Sequence, residues 1–356
     1  MGIFRTNNML AGAIAVAALI LGGCSSGVTA TSEPSALAQP PNVQNLEQAY
    51  VSVVQKVLPS VVQITTGRAL GSGIVFDTQG HIVTNAHVVG RATNFQVRLA
   101  DNPQAIPATL VGTYLPDDLA VIKLNQTPSS LHPAHFGDSA KLQVGDIVMA
   151  MGNPLGLTGT VTDGIISATG RTVTEPGDGS SPGATLPEAI QTSAPINPGN
   201  SGGALVDLAG NVIGVPTLAA LEPAGDGGIA PAPGIGFAIP SNVVSDIAGQ
   251  LIAHNGHVVN SHRAALGVRV TTVVDATGQP VGMGVVSVVP GGPAATAGIQ
   301  PGEVITAVNN TPVHSASELA QVLAKLDPGQ RVPITLTTPQ AATRTVTVTL
   351  GQLPGT

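Results

Sequence analysis

Short runs of β-branched and aliphatic residues, broken by Gly, Pro, Asp or Asn, fill the chain from residue 60 to about 239. The runs 61–65, 73–76, 81–84, 95–99, 120–123, 147–150, 164–169, 204–207 and 212–214 each read as a strand. Many short strands with turn signals between them predict an all-β sandwich or barrel. Two helices frame this region. Residues 46–57 place Val53, Val54, Val57 and Leu58 within reach of one face, and Pro59 ends the pattern. Residues 242–255 carry a stripe of Val243, Val244, Ile247, Leu251 and Ile252, with Ser241 as the expected N-cap and Gly256 beyond the end. The stretches 171–187 and 218–233 are rich in Gly and Pro and read as mobile loops.

A second set of strand runs follows from Leu266 to Leu350. Within it, Ser315 and Glu318 have the spacing of a capping box, ahead of a helix that carries Leu319, Val322, Leu323 and Leu326. At 356 residues the chain has room for two domains. Aromatic residues are only 2% of the total and Trp is absent, so both cores must rest on Val, Ile, Leu and Ala. The net charge of −7, without a Lys/Arg cluster, argues against nucleic acid as a partner.

The first 23 residues have the pattern of an export signal. Arg5 is their one charge, and the apolar run Met9 to Leu21 is shorter than the roughly 20 residues of a membrane span. Leu21-Gly22-Gly23-Cys24 resembles a bacterial lipobox, which implies lipidation at Cys24 and a membrane anchor. That reading also accounts for the single cysteine of the chain. Residues 24–44, rich in Ser, Thr, Ala, Pro and Gln, read as a flexible tether.

Candidate chemistry centres on Gly199-Asn200-Ser201-Gly202-Gly203. A serine hydroxyl becomes a nucleophile when a base stands beside it, and acyl transfer also needs donors for the developing oxyanion. The backbone N–H groups of Gly199 and Ser201 are the candidate donors. Upstream, Thr84-Asn85-Ala86-His87 ends one strand run in a histidine, and Asp117-Asp118 opens another. The chain order His, Asp, Ser is that of the chymotrypsin arrangement. His254, His257 and His262 have no Cys, Asp or Glu cluster beside them and read as solvated linker residues, so no metal or cofactor is expected.

These stretches resemble the HtrA/Deg family of bacterial serine proteases. The likeness extends through Gly71-Ser72-Gly73-Ile74-Val75, Asp118-Leu119-Ala120-Val121, Gly152-Asn153-Pro154, Gln191-Thr192 and Gly236-Phe237-Ala238-Ile239-Pro240. It implies a mainly β fold: a double antiparallel β-barrel of chymotrypsin type, followed by a small α+β PDZ domain. The expected organisation is signal peptide 1–23, tether 24–44, protease domain 45–258, linker 259–265 and PDZ domain 266–352. It implies His87 as general base, Asp118 rather than Asp117 as the acid that orients it, and Ser201 as nucleophile. Asn200 stands where a digestive zymogen needs an acid, so activation is expected through loop order, with 171–187 and 218–233 as the switching segments.

The PDZ resemblance rests on Leu266-Gly267-Val268, on 284–299 and on Gly302-Glu303-Val304-Ile305. It implies that Leu266, Gly267 and Val268 bind the C-terminal carboxylate of a peptide added as a strand. The wall Ala194-Pro195-Ile196-Asn197 contains no acid to pair a basic side chain, which predicts cleavage after small aliphatic residues. The resemblance further implies unfolded proteins as substrates, a cell-envelope location and a homotrimer, with Tyr50 a candidate contact between protomers. A non-catalytic chaperone or peptide-binding adaptor is the alternative, and an active-site probe separates the two.

Overall fold

A computed structural model of the chain describes residues 41–67, 70–153, 159–174, 184–197, 199–223 and 229–355. The expected signal peptide, Cys24 and most of the tether lie outside the described residues. The chain divides into two units, Met1–Gln44 and Asn45–Thr356, and all the described strands belong to the second.

Helix α1 (Pro41–Val57) leads into six strands: β1 (Val61–Thr65), β2 (Leu70–Val75), β3 (His81–Asn85), β4 (Asn94–Leu99), β5 (Asn102–Tyr114) and β6 (Leu119–Leu124). A one-turn helix α2 (Ala86–Val89) follows β3 directly. The strands close antiparallel in the order β1-β2-β3-β6-β5-β4. Strand β4 shows why: Phe95, Val97 and Leu99 are buried, while Asn94, Gln96 and Arg98 face water. That two-residue period lets one face line a barrel. The same alternation is hidden in β6, because both of its faces are covered. Ala120, Ile122 and Leu124 fill the barrel with Val62, Ile64 and Ile82. Leu119 and Val121 instead join an outer layer with Val244, Ile247 and Leu251.

The second barrel comprises β7 (Ile147–Gly152), β8 (Thr160–Thr174), β9 (Thr185–Thr192), β10 (Ala204–Asp207), β11 (Val212–Pro223) and β12 (Ile229–Pro240), closed in the order β10-β11-β12-β9-β8-β7. Two expectations are corrected here. The described ends of the stretches read as loops are strand arms of two long antiparallel pairs. Arg171 pairs with Ala189 and Val173 with Leu186, while Glu222 pairs with Ala230 and Pro223 with Ile229. Backbone ladders hold these arms through bulges and register shifts, so no apolar alternation marks them. Residues 175–183 and 224–228, within these stretches, lie outside the described residues.

Helix α3 (Ser241–Ala253) packs its apolar stripe on both barrels. Pro240, not Ser241, occupies its N-cap, and Ser241 Oγ donates instead to Gly137 O at 2.7 Å. Its buried hydroxyl thus serves the segment between β6 and β7 rather than the helix end. Tyr50 of α1 packs on the same layer of its own chain, and burial, with the charge of Asp163 on β8 adding to it, raises its phenol above the usual range. Each fully buried Val, Ile or Leu in this layer contributes about 1.5–3 kcal/mol, which makes up for scarce aromatic bulk.

The remaining strands are β13 (Ala264–Ala265), β14 (Val268–Val274), β15 (Pro280–Val288), β16 (Val304–Val308), β17 (Thr311–Pro312), β18 (Arg331–Thr337), β19 (Thr343–Thr349) and β20 (Gly351–Gln352). With helices α4 (Pro293–Thr296) and α5 (Ala316–Leu323) they build an α+β domain around Met283, Ile305, Ile334 and Leu336. Strand β14 lies at the edge of the order β14-β15-β16-β18-β19. Ser315 Oγ caps α5 by accepting from Glu318 N at 3.1 Å, but the return bond to Glu318 comes from His314 N, one residue earlier than a capping box requires. The end of the expected linker is not free chain: β13 pairs with β20.

Candidate active site

His87 stands on α2, two residues past the end of β3, so the strand that lines the first barrel also aims this imidazole. Asp118 follows the short 3-10 turn Leu115–Asp117 and adopts a left-handed backbone with φ 51° and ψ 40°. That conformation is unfavourable for a residue with a Cβ. The local bonds show what holds it. Asp118 O accepts from Ala86 N at 3.0 Å and from Asn85 Nδ2 at 3.1 Å. Its carboxylate accepts from His87 N at 2.9 Å and lies 2.7 Å from His87 Nδ1.

Asp118 is only 4% exposed. An ionised carboxylate accepts and cannot donate, so the short contact fixes the proton on Nδ1 and makes Nε2 the basic nitrogen. A third donor reaches the same carboxylate: Thr217 Oγ1 lies 2.5 Å from Asp118 Oδ2. Thr217 comes from β11, in the second barrel. Its carbonyl accepts from Ser201 Oγ at 3.3 Å. The structure thus joins His87 and Asp118 directly and attaches Ser201 to them through Thr217. At 3.3 Å the Ser201 bond is long for one between oxygens and correspondingly weak.

Ser201 sits at the entry of β10, in a turn fastened to both barrels. Ser201 O accepts from Ser72 N at 3.1 Å, and Gly202 N donates to Pro216 O at 3.0 Å. A side chain at Gly202 or Gly203 would strike the carbonyl oxygens of Ser72 and Met151, so both positions require glycine. Ser72 Oγ donates to Gly199 O at 2.5 Å and accepts from Asn153 N at 2.8 Å. Asn200 staples the turn from inside: its side chain accepts from Asn197 N and donates to Pro195 O, each at 3.1 Å.

Asp117 turns the opposite way from Asp118. It is 3% exposed and accepts from Arg263 at 2.6 Å. Burial pushes its carboxyl up, and the Arg263 guanidinium opposes that shift. Beside it, burial pushes the Tyr114 phenol up to about 12, with the Asp117 charge adding to the effect. His254, His257 and His262 are all exposed, and His262 Nε2 lies 3.5 Å from Asp246 Oδ2.

In the second domain, Leu266 is buried, and its carbonyl accepts from Ala294 N at 3.0 Å. Gly267 has φ +70°, and its carbonyl accepts from Val289 N at 2.8 Å. Val268 opens the edge strand β14. Helix α5 reaches the protease half, with Gln321 Nε2 3.3 Å from Thr174 Oγ1 of β8.

Residues 71–215 match the trypsin-like peptidase domain, and 284–338 match the PDZ domain. The chain is 39% identical over 349 residues to serine protease PepD of Mycobacterium tuberculosis, covering 93% of this chain and 70% of that protein. It is 35% identical over 317 residues to serine endoprotease DegS of Salmonella typhimurium, covering 85% of each. A solved structure of the HtrA-type protease AlgW with a decapeptide is similar at 30% identity and a TM-score of 0.56, over 86% of this chain and 99% of that one. The chain belongs to the HtrA family of serine proteases.

As an HtrA protease it is a serine endopeptidase built of two six-stranded barrels and a PDZ domain. It spans about half, 53%, of the length of the DegP-like relatives from Brucella. Three residues of this HtrA site escape sequence reasoning. Ser72 lies inside a matching stretch, but nothing local shows that its hydroxyl reaches Gly199. Thr217 and Arg263 carry no sequence signal at all, since their partners are 99 and 146 residues away.

Proposed function

We propose that this protein is an exported, lipid-anchored endopeptidase that cleaves unfolded or damaged proteins after small aliphatic residues, under the control of its PDZ domain. Ser201 Oγ attacks the scissile carbonyl while His87 Nε2 takes its proton and then returns it to the leaving amine. Asp118 holds the imidazole tautomer, and the N–H groups of Gly199 and Ser201 stabilise the oxyanion. The observation that carries this reading is the Asp118 carboxylate, which binds both the main chain and Nδ1 of His87. Ser201 Oγ passes its proton to His87 Nε2 in the complex with substrate, where catalytic hydrogen bonds tighten.

Ile196 is buried against Gly236, and Ala194-Pro195-Ile196-Asn197 carries no charge, which favours an apolar P1 residue. The edge position of β14 suits strand addition by a peptide whose carboxylate meets Leu266-Gly267-Val268. The contact of Gln321 with Thr174 gives α5 a route to the β8–β9 hairpin. Relatives named periplasmic fit export to the cell envelope, where lipidated Cys24 serves as the anchor. The assembly is a homotrimer, for which α1 offers exposed Leu46 and Val51.

The test is labelling with a fluorophosphonate, in which Ser201 Oγ forms the bond to phosphorus as fluoride leaves. The adduct should map to Ser201. It should vanish in Ser201→Ala and fall by orders of magnitude in His87→Ala and Asp118→Asn, because a triad acts as a unit. Failure of the parent to label would leave the chaperone or adaptor reading in its place.

A further inference from the structure

We infer that Arg263 is a positioning residue for catalysis, through which the C-terminal strand of the PDZ domain holds the turn that sets Asp118. This rests on the assignment of Asp118 above. One guanidinium nitrogen of Arg263 donates to Asp117 Oδ1 at 2.6 Å and to Pro116 O at 2.9 Å. It therefore grips both residues that precede Asp118 in the chain. The pair is nearly closed to solvent, with side chains 11% and 4% exposed for Arg263 and Asp117. Without its partner Asp117 would be a buried, uncompensated charge, a costly state that the turn would relieve by moving.

Such movement matters because Asp118 adopts an unfavourable left-handed backbone. Its own N–H donates to Leu115 O at 3.1 Å, so displacement of 115–117 carries Asp118 along. His87 takes its orientation from both oxygens of the Asp118 carboxylate and moves with it.

The other end of the lever is equally well held. Arg263 O accepts from Leu353 N at 2.7 Å, and Ser261 Oγ donates to Leu353 O at 2.7 Å. Ala264 and Ala265 pair with Gln352 and Gly351, and Gln352 Nε2 donates to Val259 O at 2.9 Å. The last strand of the PDZ domain therefore fixes where the guanidinium stands. Through this route the linker acts on the turn that carries Asp118.

The test compares the parent with two full-length or near full-length variants: Arg263→Met, and a chain stopped after Leu350, which removes β20 and the Leu353 bonds. Peptide hydrolysis gives kcat and KM, and fluorophosphonate labelling reports the triad without a peptide. Both variants should lose about tenfold or more in kcat and in labelling rate, with KM within about twofold of the parent. Arg263→Lys, which restores the charge beside Asp117, should recover part of the loss. The truncated chain leaves the buried pair in place, so it reports the lever even if Arg263→Met does not fold. Parent-level kcat and labelling in a folded variant, or a loss confined to KM, overturns the proposal. A parent that is itself not labelled at Ser201 overturns the triad assignment instead.

Discussion

Thr217 and Asp118 lie 99 positions apart in sequence, yet the threonine hydroxyl stands 2.5 Å from the aspartate Oδ2. The contact crosses from the second barrel to the first. The same residue offers its carbonyl to Ser201 Oγ, so one position of β11 touches both Asp118 and Ser201. Thr217→Val should keep the shape and remove the donor. A hydrogen bond to a charged group contributes about 1.5–3 kcal/mol, so kcat should fall about ten- to hundredfold. Thr217→Ser should retain most of the activity. Steady-state kinetics of the two variants check this, and equal losses would show that packing, not the hydroxyl, matters.

The specificity pocket should exclude basic side chains. No acid stands in Ala194-Pro195-Ile196-Asn197, and an unpaired Lys or Arg there would be costly to desolvate. Mass spectrometry of casein digests should place Val, Ile or Ala before the cut. A predominance of Arg or Lys would refute the pocket assignment.

Peptide regulation should depend on the loop ahead of β14. Gly267 has φ +70°, which a β-branched residue adopts only with strain. In Gly267→Val, binding of a C-terminal peptide with an apolar last residue and its stimulation of proteolysis should disappear together. Calorimetry and rate measurements on the same samples test the link. Coupling also requires that the peptide favour one arrangement of the β8–β9 hairpin, because equal affinity for two states shifts nothing.

Acid should weaken the PDZ domain in a defined way. Arg344 hydrogen-bonds both oxygens of Glu303, at 2.7 and 2.8 Å, and holds its carboxyl below the usual range. A depressed folded-state pKa gives stability that is present above the unfolded value, about 4.3, and lost as pH falls through the folded one. With Arg344 partly exposed, the contribution is about 1 kcal/mol. Thermal unfolding of the parent and Glu303→Gln should differ at pH 6–7, and the gap should begin to close near pH 4 and vanish only below the depressed folded-state pKa. A gap independent of pH would remove the ion pair as its cause.

Membrane attachment should follow Cys24. One acyl chain binds marginally, whereas two or more hold a protein stably. Cys24→Ala should therefore move the protein from the membrane fraction to the soluble fraction. Unchanged fractionation would point to an uncleaved apolar segment.

Local sequence alone determined whatever depends on neighbouring residues. The alternation of Phe95, Val97 and Leu99 specifies a half-buried strand, and the stripe through Val244, Ile247 and Leu251 specifies a helix face. Likewise, the glycines around Ser201 mark a turn that only glycine can make, and the strings around His87 and Asp118 match a family pattern. Tertiary structure decided the rest, because it depends on how distant strands are brought together. Asp117 and Asp118 are identical in type and adjacent, yet one meets Arg263 and the other His87. Ser72, Thr217 and Arg263 look ordinary in sequence, and each gains a role from a partner in a distant part of the chain: Gly199, Asp118 and Asp117. The long β8–β9 and β11–β12 hairpins were likewise hidden, since backbone hydrogen bonds hold their arms and leave no side-chain period to read.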